Sequence, residues 1–183
     1  MRGRPTGGAT FRGRPTGSPA CRSPAYRRWL VATSAVIWAT AAAADPTPPQ
    51  YPAGATTFQA NCAVCHQAKG TGNPALAPPL TTYPARYAAN PEGRKQLAMT
   101  LINGMYGKIE VEQKSFDFRM PEFTQFDDAT LATVLNFIIF DLDRAGDDTK
   151  PITAEEIAAE RAHPTDGAAV RAHRDKVLAA LGL

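Results

Sequence analysis

Cys62, Ala63, Val64, Cys65 and His66 set two thiols three residues apart and an imidazole directly after the second. Three residues is most of a helical turn, so both sulfurs stand on one side of it. Each can form a thioether with a haem vinyl group, and the histidine that follows is carried to the iron; C-x-x-C-H is the haem c attachment motif. Three other chemistries use such residues. A Cys62–Cys65 disulfide would close too small a loop to constrain the unfolded chain much. A thioredoxin-like redox pair needs a βαβ context, and strand signals are nearly absent. A zinc site needs a second ligand pair, whereas His163 and His173 are far along the chain among Arg, Ala and Glu, as on a solvated tail helix. The motif therefore points to one covalently bound haem c.

The elements that must position these groups read as helices. Tyr51 to Val64 forms a helix entering the motif, with Gly54 and Phe58 on one face. Lys69 to Pro84 is rich in Gly, Pro, Thr and Asn and reads as a loop. Asn90, Pro91 and Glu92 supply a cap, a preset φ and an acid in the first turn, and Leu97 and Leu101 continue a helix that Gly104 stops. From Met105 to Phe126 there is no helical period. Asp127 or Asp128 then opens a helix through Asp141 in which Leu131, Val134, Leu135, Ile138 and Leu142 recur at threes and fours. Beyond a linker at Gly146 to Pro151, Thr153 and Glu156 form a capping box for a helix to about Ala162, and Gly167 to Leu181 is another helix. The fold class is all-α.

Charge divides the chain in two. Of 20 Lys and Arg, seven precede Asp45, where there is no acid; the 139 residues from Asp45 carry 13 against 17 Asp and Glu, a net charge of −4. A domain without a basic face is unsuited to nucleic acid. The preceding stretch carries RGRPTG twice, then Arg22, Arg27 and Arg28, an uncharged run from Trp29, and Ala42, Ala43 and Ala44. That order predicts a secretory signal peptide over 1–44 with an extended n-region, followed by a Pro-rich mature N-terminus at 45–50. An uncleaved anchor would need ~30 Å of apolar helix, and this run offers ~24 Å; membrane attachment is expected only if cleavage fails. Export places the mature chain in the periplasm and removes Cys21 and Met1 from the functional set.

With these parts in order, residues 51–144 resemble a class I, monohaem c-type cytochrome of the bacterial periplasmic type, and 145–183 form a linker and helical C-terminal extension. The resemblance rests on Gly54 and Phe58, Cys62 to His66, Pro78 and Leu80 as a P-x-L segment, Met120 followed by Pro121, and Phe137 in the last helix of the domain. It implies the cytochrome c fold, a Pro78 carbonyl accepting a hydrogen bond from the Nδ1 side of His66, and axial ligation by His66 and Met120. Met105 and a histidine are competing sixth ligands; Met99, beside Leu97 and Leu101, reads as core. The implied function is one-electron transfer between a redox protein donor and acceptor, with no catalytic residues. One variant of this reading is the cytochrome subunit or partner of a periplasmic dehydrogenase, which the first part of the extension weakly resembles; the plainer reading of the extension is a helix packed back on the domain. A different class is a haem enzyme or gas-binding sensor with a labile sixth ligand.

Overall fold

The computed structural model describes residues 48–183 apart from Ala75; the expected signal peptide over 1–44, with the repeated RGRPTG, Cys21 and Met1, lies outside the described residues. Helix α1 (Pro52–Asn61) starts on a proline, whose missing N–H would have been unpaired there in any case. It does not run unbroken to Val64: Cys62 separates it from the single turn α2 (Ala63–His66). A short helix α3 (Pro84–Ala88) follows the Gly/Pro loop, and α4 (Pro91–Asn103) follows it. Asn90 caps α4 by accepting from the backbone N–H groups of Glu92 and Gly93.

The region expected to be irregular contains a two-stranded antiparallel hairpin, β1 (Ile109–Val111) and β2 (Lys114–Phe116), with Ile109 opposite Phe116. Two strands of three residues each leave the all-α fold class standing. The turn residues Glu112 and Gln113 have φ of 49° and 64°, the left-handed pair a two-residue hairpin requires. Neither is the Asn or Gly that usually marks such a turn. Helix α5 (Asp128–Asn136), capped by Asp127, continues as a π-helical segment, Phe137–Leu142. Its end is fixed from outside: Asp141 accepts from the backbone N–H of Gln50 (2.6 Å) and Tyr51 (3.0 Å), and Asp143 from that of Ala85 (2.6 Å).

Helices α6 (Ala154–Arg161) and α7 (Gly167–Leu181) make up the extension. Both pack against α4, and α6 also packs against α5. Ile157 and Val177 are buried with the residues of the main core, so the extension completes the domain instead of trailing from it. Asn136 joins the two parts inside the protein, donating to the Ile152 carbonyl at 2.9 Å and accepting from its N–H at 2.7 Å.

The crossing of α1 and α5 explains one glycine. A Cβ at Gly54 would lie 2.2 Å from the Thr133 carbonyl oxygen and 2.9 Å from the Phe137 Cβ. Only glycine permits that approach. It brings Phe58, fully buried, to Phe137 with ring centroids 5.3 Å apart at 53°, a tilted arrangement favourable for aromatic pairs.

Candidate functional site

One cavity collects Cys62, Cys65, His66, Pro78, Leu80 and Met120, although they come from the break between α1 and α2, α2 itself, the Gly/Pro loop and the segment before α5. Met105 lines it too; His163 and His173 do not. The remaining wall is mainly apolar, from Leu97 and Leu101 on α4, Ile109 and Phe116 on the hairpin, and Leu135 and Ile138 before and within the π segment. None of the described lining residues is acidic.

His66 is held from both sides of its own backbone. Its N–H bonds the Cys62 carbonyl at 2.9 Å, and its carbonyl accepts from Gly72 at 2.9 Å. The loop beyond is tied by Asn73 and Ala77, which exchange backbone hydrogen bonds, and by Leu80 donating to Gly70 at 2.7 Å. These ties aim the Pro78 carbonyl at the ring: His66 Nδ1 lies 2.9 Å from Pro78 O. A carbonyl only accepts, so Nδ1 carries the proton and the lone pair resides on Nε2. Burial holds the His66 pKa below its ordinary value of 6.5, with the Pro78 hydrogen bond opposing in part. The ring is therefore neutral, the form that can ligate a metal.

Cys62 is buried and Cys65 half-buried, and neither forms a disulfide. Burial first, then the neighbouring Cys65, pushes the Cys62 thiol up to about 11. A protonated, buried thiol is a poor redox nucleophile, and no group of three or more His, Cys, Asp or Glu that could hold a metal ion occurs among the described residues. This counts against the zinc and thioredoxin-like readings.

Met120 and Met105 meet as an isolated antiparallel bridge. Met120 packs on the main core, Met105 on the smaller cluster of Ile109, Val111 and Phe116. Gly104 makes the bridge possible. Its φ is +67°, and a Cβ there would lie 2.6 Å from the Met120 carbonyl oxygen.

The cavity also holds polar side chains that reasoning from sequence passed over: Tyr87, Gln96, Thr100 and Arg174. Arg174 belongs to α7, and only the folded extension brings it here. His173 is likewise no solvated tail residue. Its Nδ1 is 2.7 Å from Gln96 Oε1 and its Nε2 3.1 Å from Glu92 Oε2, whereas His163 is exposed.

An apolar cavity with two thiols and a neutral imidazole with its lone pair free suits a porphyrin attached through sulfur. The Tyr87 hydroxyl, buried without a hydrogen-bond partner, adds an unused polar contact for such a group. Residues 51–139 match the family model described as Cytochrome c. The chain is 37% identical over 124 residues to Cytochrome c-552 of Thermus thermophilus, an alignment covering 64% of this chain and 92% of that protein. The same identity holds to a second Cytochrome c-552, from a designated strain of Thermus thermophilus, over 64% of this chain and 81% of the relative. The chain belongs to the cytochrome c family, and the cofactor of this family is one covalently bound haem c.

Proposed function

We propose that this electron-transfer protein is a periplasmic one-electron carrier in which Cys62 and Cys65 attach the haem and His66 and Met120 are the axial ligands. The observation that carries the reading is the His66–Pro78 hydrogen bond at 2.9 Å, which leaves the lone pair on Nε2 of a neutral, buried ring in a cavity Met120 also lines. Bound haem supplies one-electron cycling of iron between the ferric and ferrous states. The chain does the rest. Cys62 and Cys65 would hold the haem covalently, each S–H adding across one vinyl double bond with no atom lost and no change in oxidation level. The Pro78 carbonyl fixes the imidazole orientation and raises its basicity. The Met120 thioether favours the reduced state. With His66 and Met120 both holding the iron, no position would be left for a small molecule.

Export is supported by the leader, which has the order of a signal peptide. Among the described residues no helix is long and apolar enough to cross a membrane. Partners on this reading are a redox protein donor and acceptor, with a periplasmic dehydrogenase as the class to test first. Residues 51–144 are the haem domain, and 145–183 complete its core.

The test is a preparation from a host with cytochrome c maturation. Its haem should resist acid-acetone extraction, its mass should equal the chain from Asp45 plus one haem, and the reduced protein should bind carbon monoxide slowly. Extractable haem would overturn the attachment. Immediate carbon monoxide binding would favour a haem enzyme or gas sensor with a labile sixth ligand.

A further inference from the structure

Arg174 is 5% exposed although it lies on α7, outside the segment that matches the cytochrome c family model. A buried guanidinium is costly unless a carboxylate or several acceptors compensate it. Here the protein provides little. Arg174 Nη2 donates to the Glu110 carbonyl at 3.1 Å. The carboxylate of the adjacent Asp175 is 3.9 Å from Nη1, is half exposed, and already accepts from Arg171 at 3.0 Å. The Tyr87 hydroxyl in the same cavity is buried with no hydrogen-bond partner. Burial pushes the Tyr87 pKa above its ordinary value, with the charge of Arg174 and a loose approach of its N–H to the phenol oxygen opposing in part, so the phenol keeps its proton and can donate it elsewhere.

A cation with unused N–H groups and a phenol with an unused O–H, in a cavity without acids, form a receptor for a carboxylate. The haem of this family brings two, its propionates. We propose that Arg174 and Tyr87 bind one haem propionate, so that the C-terminal extension supplies part of the haem site. The inference rests on haem occupying this cavity. It gives the extension a role beyond packing: folding of α7 and seating of the haem become coupled, because each supplies the countercharge the other lacks. Arg119 is the rival cation. It also lines the cavity but is exposed, with its guanidinium 5.5 Å from the centroid of the Tyr106 ring. The titratable neighbours of Arg174 are Asp175 on α7, Lys108, Glu110 and Glu112 at the hairpin, and Tyr83 and Tyr87 around α3. Of these only the two tyrosines line the cavity.

The experiment compares holoproteins by the propionate bending band in resonance Raman spectra and by reduction potential against pH. Arg174→Gln and Tyr87→Phe should each retain covalent haem and move that band, while Arg119→Gln should leave it in place. In Arg174→Gln the potential should fall as pH rises from about 5 to about 8, because a carboxylate without its cation titrates upward and its ionised form favours ferric iron; Arg174→Lys should restore much of the wild-type profile. An unchanged band in both Arg174→Gln and Tyr87→Phe, or a band moved by Arg119→Gln alone, would overturn the proposal. If Arg174→Gln does not mature, Arg174→Lys and Tyr87→Phe decide it on the same band. A wild-type protein without covalent haem would instead remove the reading on which the proposal rests.

Discussion

Met105 and Met120 face each other across two backbone hydrogen bonds, Met105 N to Met120 O at 3.1 Å and Met120 N to Met105 O at 2.8 Å. Residues directly opposed in an antiparallel pair project to the same side. Both thioethers consequently reach one cavity, and backbone geometry alone does not choose between them as iron ligands. Their surroundings differ, Met120 packing with the main core and Met105 with the hairpin cluster, and Met120 is the ligand in the proposed function.

Replacing each methionine separates these roles. Met120→Ala is expected to abolish the weak far-red charge-transfer absorption that the family resemblance implies for sulfur-ligated ferric haem, to lower the potential and to admit carbon monoxide to the reduced iron. Met105→Ala should keep the band and lose about 1–2 kcal/mol through the space it leaves by the hairpin. Loss of the band in the Met105 variant alone would transfer the ligand assignment.

Gly104 supports the same bridge from the adjoining position. Gly104→Ala forces a side chain to adopt φ of +67° against the Met120 carbonyl, a combination expected to cost about 1–3 kcal/mol. The variant should melt earlier than wild type and show a weakened far-red band, because relieving the clash moves Met120. Unchanged absorption and melting would show that the loop adapts without moving the sulfur.

Much of this arrangement was legible because it is local. Cys62 to His66 is a contiguous motif, Asn90 with Pro91 and Thr153 with Glu156 are caps within one turn, and the apolar repeat of α5 has a helical period. What escaped depends on distant partners or atypical turns. The hairpin turns on Glu112 and Gln113, without glycine or asparagine. The π segment preserves an apolar run while adding a residue per turn, and side chains from elsewhere fix its end: Asp141 holds the start of α1 and Asp143 the start of α3. His173 reads as part of a solvated tail helix because its neighbours in sequence are Arg and Ala; its partners Gln96 and Glu92, and the Glu110 carbonyl that holds Arg174 beside it, are more than sixty residues away in the chain.

Haem should complete the core. The cavity is walled by Leu97, Leu101, Leu135 and Ile138, which also belong to the main cluster, so haem would pack directly against the core. His66→Ala and Cys65→Ala are expected to yield mostly unfolded chains, measured as loss of far-ultraviolet circular dichroism and of a cooperative melt. An apo form with native helix content would show that the protein core suffices.

Arg94 ties the extension to α4. It forms a two-pronged pair with Glu156, both contacts 2.7 Å, and donates to the carbonyls of Ala88, Lys150 and Pro151. Arg94→Ala should therefore cost about 2 kcal/mol, less than a fully buried pair because the Glu156 side chain is 38% exposed. The hydrogen bond from Arg94 lowers the Glu156 pKa below its ordinary 4.5, with burial opposing and the Thr153 backbone assisting. A depressed folded-state pKa means that this stabilisation is complete above the unfolded value and is lost as pH falls through the folded one. Wild type should lose stability below about pH 4.5, and Glu156→Gln should lose less over that interval while being less stable at pH 7. Parallel acid profiles for the two would place the acid sensitivity elsewhere.

Docking is expected to combine charge with an apolar contact. Val64, between the two cysteines, is 75% exposed, and Phe118 is 58% exposed; both border the cavity. The chain from Asp45 carries a net charge of −4, and two propionates add to it. A basic partner should then associate faster at low salt, and rates should fall as ionic strength rises, since screening shortens the reach of the attraction to about 10 Å at 0.1 M. Close contact at the rim would be set by Val64 and Phe118. Val64→Asp should slow electron transfer to a partner at high salt, where steering is weak, while leaving the haem spectrum unchanged. Rates independent of salt would eliminate steering, and a Val64→Asp protein as fast as wild type at high salt would place the docking contact away from this rim.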